Sequence, residues 1–267
     1  MADPFQDVDA AGADFIKMFA DAMDVRQADP TMEKVVAHYL SHIEVYDDAL
    51  VIEVGSGAGA VARRIAVHCA PASVIGFEPS QGFVDEARIR SSSHENLKFE
   101  VADGAQLPLK DGAADVVIFH TVLSHVVDPA ILLAEAVRVL KPGGTLIVCD
   151  ADFSKASFAS FENDPLHCCA QAFMRGYVTD PYIIGKLRQL LSQAGLQTMY
   201  FDAQSRVVTA FQQMLPWVDV TTKAMVERGE IGEPLADALK AELHRRGELD
   251  ILYGYQVFAT AIAKKAG

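Results

Sequence analysis

The stretch VIEVGSGAGAVARRIA, residues 51–66, decides the fold. A continuous apolar run stops at Gly55, Gly57 and Gly59, and small apolar residues then resume at helical spacing. A strand covered on both faces reads as such a run. Glycine permits the positive φ and the close backbone approach that a sharp strand-to-helix turn needs. The new helix start offers free N–H groups and partial positive charge, which suit a carboxylate or phosphate. Ligands of open α/β sheets bind outside the carboxyl ends of the strands, so this turn marks the first candidate site. Alone, the spacing is shared by dinucleotide-binding proteins and others, and a tight turn without a ligand is the bland alternative.

The same rhythm extends on both sides. ALVIEV, SVIGF, LKFEV, DVVIF and TLIVC are short apolar runs, separated by AVARRIAVHCA, PSQGFVDEARIRSSS and DPAILLAEAVRVLKPGG, which read as helices. Strand–helix alternation of this kind predicts an α/β fold with a doubly wound, mostly parallel sheet. The helix over 129–140 has a clear stop at Lys141, Pro142, Gly143 and Gly144. Upstream, the first thirty residues read as a loose lead and a short helix. DPTMEKVVAHYLSHIEVY is a firmer helix, with Asp29 as cap, Pro30 in the first turn and an apolar stripe of Met32, Val35, Val36, Tyr39, Leu40 and Ile43. After Asp150 come further helices closed by Gly195, a strand in QTMYFDAQSRVVTA, a helical segment over 210–249 and a last strand in DILYGYQVFATAIAKK. The expected organisation is an N-terminal helical lead or cap (1–48), a core (49–209 and 250–267), and a helical insertion before the last strand (210–249). That insertion is either a substrate lid or ordinary packing at the sheet edge.

Bulk properties narrow the function. The 267 residues suit one large domain, and 23 basic against 36 acidic residues leave a net charge of −13. Phosphate backbones and anionic membranes need clustered Lys and Arg, so neither nucleic acid nor membrane is an expected partner. Four cysteines without CxxC spacing read as reduced thiols. His167 beside Cys168 and Cys169 reads as a buried helix segment, and no metal site is expected. The N-terminus lacks the pattern of a signal peptide, and no stretch has the apolar length of a bilayer span. A cytoplasmic protein is expected.

SVIGF is followed by Glu78. A carboxylate there accepts two hydrogen bonds from a ribose diol and repels a 2′-phosphate. A surface Glu at a helix start is the alternative. Taken in order, VIEVGSGAG, GFEPS, ADGAQLPLKDGAADVV and RVLKPGGTLIV resemble the class I S-adenosylmethionine-dependent methyltransferases. The nearest branch is that of small-molecule enzymes related to ubiquinone and menaquinone biosynthesis. The resemblance covers about residues 49–149, and the four-part series is far more specific than any one part. It implies S-adenosyl-L-methionine as cofactor. Glu53, Gly55, Ser56, Gly57 and Gly59 would line its methionine end, with His120 beside them. Glu78 would hold the ribose, and Pro79 with Ser80 would flank the adenine. Asp103 would accept from the adenine amino group in a pocket shaped by Ala102 and Gly104. Ser56 departs from many relatives, which carry Asp or Cys there.

Methyl transfer from a sulfonium requires alignment of nucleophile, methyl carbon and sulfur, exclusion of water, and in some cases removal of a proton. His125, after the fourth strand, is the base candidate, since an imidazole can take a phenol or hydroxyl proton. A structural helix cap is its alternative role. Asp150 and Asp152 follow the fifth strand and are expected to point to the mouth, where one orients His125 or binds an acceptor amine; Asp152 is the catalytic candidate of the two. Trp217, with Phe211, Met214 and Leu215, either covers an apolar acceptor or packs on the sheet. His167, Tyr177 and Tyr182 are weaker candidates for substrate contact. The expected activity is methylation at O, N or C of a small, apolar or aromatic molecule. The alternative is a protein that binds the cofactor without transferring a methyl group. No NPPY-like motif follows the fourth strand, which argues against base and amide N-methylation. The oligomeric state is open, a homodimer included.

Overall fold

Three helices precede the sheet: α1 (Val8–Ala11), α2 (Ala13–Gln27) and α3 (Pro30–Leu40). The sheet strands are β1 (Leu50–Val54), β2 (Ser73–Glu78), β3 (Leu97–Val101), β4 (Ala114–His120), β5 (Leu140–Ala151), β6 (Leu196–Val208) and β7 (Gly254–Lys265). Between them run α4 (Ala60–Cys69), α5 (Gln81–Arg90), α6 (Pro129–Val139), α7 (His167–Tyr177), α8 (Ile183–Gln193), α9 (Leu215–Glu227) and α10 (Glu233–Glu248). The computed structural model describes residues 3–267, apart from the side chains of Leu215 and Pro216.

The strand order is β3-β2-β1-β4-β5-β7-β6. Strands β1 to β5 pair in parallel, and β7 runs antiparallel between β5 and β6. The doubly wound, mostly parallel sheet expected from the sequence is the one that forms. Alternate residues of the apolar runs serve opposite cores, which is why the runs are continuous. Val51, Val116 and Ile118 meet Ile65 of α4 and Tyr39 of α3 on one face. Ile52, Val117 and Phe119 meet Leu133 of α6 and Leu187 of α8 on the other.

Asp29 caps α3, its carboxylate accepting from Thr31 N at 2.9 Å, and the stripe Met32, Val35, Val36, Tyr39 and Leu40 is buried. One local expectation changes. Where a loose lead and a short helix were expected in the first thirty residues, the described residues hold α1 and the 15-residue α2. The helix stop is where the sequence put it, α6 ending at Val139, and Lys141–Gly144 lie in the start of β5. β5 begins at Leu140 opposite Ala114, and the register shifts so that Thr145 faces Val116; Gly143 takes up the irregularity at φ +75°.

The inserted helices α9 and α10 do not stand apart. With α7 they bury a cluster that includes Phe158, Leu166, Val218, Leu239 and Leu243. A bidentate pair locks α10 to the segment before α7, with Arg246 Nη1 2.6 Å and Nη2 2.9 Å from the two oxygens of Asp164, both side chains buried. The helical layer over the sheet edge is therefore drawn from residues on both sides of β6.

Candidate active site

The sheet order reverses between β1 and β4, and the crevice opens at the carboxyl ends of these strands, where such folds bind ligands. Gly55, Gly57 and Gly59 adopt φ of +70°, +51° and +76°. Gly55 N and Ser56 N both donate to Phe77 O, at 2.7 and 3.1 Å, which ties the turn to β2. Side chains are excluded by space as well as by φ: a Cβ on Gly55 would stand 2.7 Å from Val122 Cγ2. Glu78, at the tip of β2, accepts from Gly57 N at 2.9 Å and from Ser80 N at 3.0 Å. Each of its oxygens keeps a further lone pair. Burial pushes its carboxyl up to about 7 against the pull of those two backbone N–H groups. Gly55, Gly57, Glu78, Pro79, Asp103 and Gly104 line one side of a cleft of about 360 Å³. Val122, His125, Val126 and Leu132 line the other.

Beneath the glycine turn lies a small cavity bordered by Glu53, Ser56 and His120. Glu53 is buried with Oε2 unpartnered, and Ser56 Oγ is unpartnered too. Burial, reinforced by the charge of Glu78, holds the Glu53 carboxyl well above the usual carboxylate range. His120 is held between Gln27 Nε2 at 3.1 Å and Tyr39 Oη at 3.2 Å, and burial keeps it neutral.

A second cavity of about 110 Å³ adjoins the cleft. Phe5, Met23, Thr121 and His125 line both. Its apolar wall includes Phe153, Phe173 and Trp217, with Trp217 stacked on Phe173 at 4.1 Å between ring centroids and 2° between planes. Its polar groups include Arg26, Arg206, Gln213 and Gln256. His125 stands where the two spaces meet. Its Nδ1 is 2.8 Å from Asp3 Oδ2, and Thr179 Oγ1 lies 3.0 Å from the same oxygen. Nδ1 thereby carries a proton toward Asp3, and Nε2 has no hydrogen-bond partner among the described residues. Thr121, just past β4, is a non-glycine residue at φ +55°, held by Thr121 N donating to Cys149 O at 2.7 Å. Strained backbone of this kind gathers at working sites.

The N-terminal segment roofs both spaces. Asp9 of α1 accepts from Ser80 Oγ, Gln81 N and Gly82 N, at 2.7, 2.9 and 3.0 Å, and so pins the lead to the start of α5. Phe19, Met23 and Arg26 of α2 fall at i, i+4 and i+7 on one face, directed into the smaller cavity.

Not every residue singled out from the sequence reaches these cavities. Asp152 lines neither; its carboxylate takes the Ser154 hydroxyl instead. Its position after β5 suggested the mouth, but β5 continues to Ala151 and turns Asp152 aside. Asp150 does not orient His125. It is buried and accepts from Ser124 N and Oγ at 3.1 and 2.8 Å, holding the turn on which His125 rides. Gly59 serves the turn and α4 rather than the cleft, since a Cβ there would meet Phe99 Cζ at 2.6 Å. Ala102 contributes its backbone, donating to Glu78 O at 3.1 Å. Trp217 lines the cavity. Tyr177 stacks on Phe173, and Tyr182 is exposed. Asp3, Thr121, Arg26 and Arg206 were not anticipated.

Residues 52–148 match the family model described as "Methyltransferase domain". Over that stretch, from β1 into β5, the chain is similar to that family. A demethylmenaquinone methyltransferase of Tropheryma whipplei is 29% identical over 181 residues, 62% of this chain and 73% of that one. An uncharacterized, transposon-borne protein of Streptomyces fradiae is 40% identical over 103 residues, 38% of this chain. This chain spans only 30% of that protein's length, and 48% of an uncharacterized methyltransferase of Schizosaccharomyces pombe that is 32% identical. Among solved structures, a putative methyltransferase from Bacillus halodurans shares the fold of the domain, with a TM-score of 0.62, 19% identity, and coverage of 87% of this chain and 99% of that one. No helix among the described residues is long and apolar enough to cross a membrane.

Proposed function

We propose that this protein transfers a methyl group from S-adenosyl-L-methionine, held in the larger cleft, to a small molecule held in the adjoining aromatic chamber. The residues present fit such a donor. The buried, unpartnered Glu53 Oε2 beside the glycine turn suits an ammonium group, and the glycine turn leaves its backbone bare for the amino-acid end. Glu78 retains lone pairs for two ribose hydroxyls. Pro79, Asp103 and Gly104 form the part of the cleft suited to the adenine, with Ala102 behind them on the Glu78 backbone and His120 as a neutral wall behind the methionine end. When bound, the donor supplies a methyl group on a positively charged sulfur that leaves as a neutral thioether.

The chain's own residues do the rest. His125 Nε2 takes the proton of an acceptor hydroxyl or amine, and Asp3 fixes the tautomer and steadies the imidazolium that results. Phe5, Phe153, Phe173 and Trp217 exclude water from the line between the two spaces. One juxtaposition carries this reading: His125 borders the cleft and the chamber at once, with its second nitrogen free. The −13 charge, the free cysteines and the absence of a spanning helix among the described residues support a cytoplasmic enzyme of small-molecule metabolism. Quinone precursors, substrates of a relative by its name, are one acceptor class to assay.

The test is transfer of labelled methyl from S-adenosylmethionine to a library of phenols, amines and acids. Label in a small-molecule product that disappears with His125→Ala is the expected result. Binding of S-adenosylhomocysteine without transfer to any acceptor would favour the binding-only alternative.

A further inference from the structure

Two arginines line the chamber with donors left over. Arg206 lies on β6 and is only 1% exposed, yet it lines the cavity. Its Nη1 donates to Gln256 Oε1 at 2.7 Å, and its Nε stands 3.0 Å from Asp29 Oδ2. Its Nη2 has no hydrogen-bond partner among the described residues. Asp29 is already committed, accepting from Thr31 N, Met32 N and Gln213 Nε2. The second guanidinium, Arg26, touches only Thr121 Oγ1, at 3.1 Å; its Nε is unpartnered, and it forms no ion pair among the described residues. Burial, and then the charge of Arg206, lower the Arg26 guanidinium to about 10, so the two cations feel each other. The next acidic groups, Glu53 and Asp150, hydrogen-bond to neither arginine, though their charges favour the Arg26 cation. Asp3 belongs to His125.

Among the described residues only Asp29 forms an ion pair with either guanidinium, Arg26 Nε and Arg206 Nη2 donate to nothing, and both arginines line one cavity. A buried cation in that condition is costly unless a ligand completes it. The forked donor set of arginine matches a carboxylate. The opposite wall is flat and aromatic, and a volume of about 110 Å³ is near the ~150 Å³ that accepts one benzene ring. We propose that the methyl acceptor is a single-ring-sized monocarboxylate, its carboxylate bound between Arg206 Nη2 and Arg26 and its apolar body against Trp217 and Phe173. This deepens the methyl-transfer reading by naming the substrate class, but its binding can be measured without the donor.

Trp217 is the only tryptophan of the chain and lines the chamber, so its fluorescence reports occupancy. The probes are benzoate, 4-hydroxybenzoate and phenylacetate, each paired with its neutral carboxamide, titrated with and without S-adenosylhomocysteine. At least one acid is expected to bind roughly tenfold or more tightly than its amide, the scale of a charge-assisted contact. That preference is expected to vanish in Arg26→Gln, with amide binding unchanged. Arg206→Gln is expected to act likewise. Because Arg206 also holds the α3 cap, Arg26→Gln, which breaks no ion pair, carries the test if that variant does not fold. Equal binding of every acid and amide by the wild-type protein would overturn the proposal. So would a preference that survives Arg26→Gln. If the acids bind but calorimetry detects no S-adenosylhomocysteine, the chamber assignment stands and the donor assignment falls.

Discussion

On the proposed reading, Glu78 makes donor binding sensitive to pH in a way that can be calculated. Its carboxyl titrates at about 7 in the ligand-free protein, because burial outweighs the N–H groups of Gly57 and Ser80. Ribose hydroxyls donate, so they bind the ionised form. About one-eleventh of the carboxyls are ionised at pH 6 and about ten-elevenths at pH 8, so nucleoside affinity should weaken about tenfold from pH 8 to pH 6, or ~1.4 kcal/mol. Near pH 7, binding should release about half a proton. The assay is calorimetry with 5′-methylthioadenosine, which carries the base and ribose but no ionising amine or carboxylate, in two buffers of different ionisation enthalpy. Glu78→Gln should abolish the slope and cost ~2 kcal/mol at pH 8, roughly thirtyfold. The same shift has a consequence for stability. A carboxyl raised from 4.5 to about 7 binds more protons folded than unfolded. Its contribution is therefore full below 4.5 and is lost as pH rises through about 7, up to ~3 kcal/mol in all. Glu53, raised by burial too, adds in the same direction. An affinity for methylthioadenosine that is constant from pH 6 to 8 and unchanged by Glu78→Gln would refute the ribose role.

Three further outcomes follow from other contacts. His125→Ala should lower kcat by about 10²- to 10⁴-fold with S-adenosylhomocysteine affinity within about twofold, and Asp3→Asn should lower kcat less while altering the pH–rate profile; unchanged profiles would make the pair structural. Gly55→Ala forces a side chain into φ +70° and against Val122 Cγ2 at 2.7 Å, and should cost at least ~1–2 kcal/mol in urea denaturation and weaken donor binding as Val122 shifts into the cleft; a neutral result would mean the turn is softer than its φ values imply. Asp164→Ala leaves a buried Arg246 with Glu242 as its one acidic partner among the described residues, and should destabilise by ~3 kcal/mol; a loss under ~1 kcal/mol would show that α10 is not anchored there.

The sheet and the glycine-lined cleft were legible because local patterns encode them. Continuous apolar runs demand cover on both faces, and three glycines demand a turn no side chain could follow. Glu78 was readable because the tip of β2 is fixed by its distance from that turn. The acceptor chamber was not, because it is assembled across long separations. Asp3 meets His125 from 122 residues away, and the motif around it, Asp before Pro, announces only a helix cap, a job it also performs by accepting from Phe5 N. Asp152 misled for the converse reason: proximity in sequence to a strand end says nothing about how far the strand continues. Two signals were nonetheless present. Arg206 is buried while Val207 beside it is 47% exposed, an inversion of the usual strand alternation. Arg26 occupies an apolar-stripe position of α2, in phase with Phe19 and Met23. A charge on the inward face of an element is the mark that was available to be read.

The most direct measurement is a crystal structure with S-adenosylhomocysteine. The ribose should rest on the Glu78 carboxylate, the adenine beside Pro79 and Asp103, and the sulfur should face the chamber at His125. A nucleoside bound elsewhere, or one whose sulfur points away from His125, would contradict the division into donor cleft and acceptor chamber.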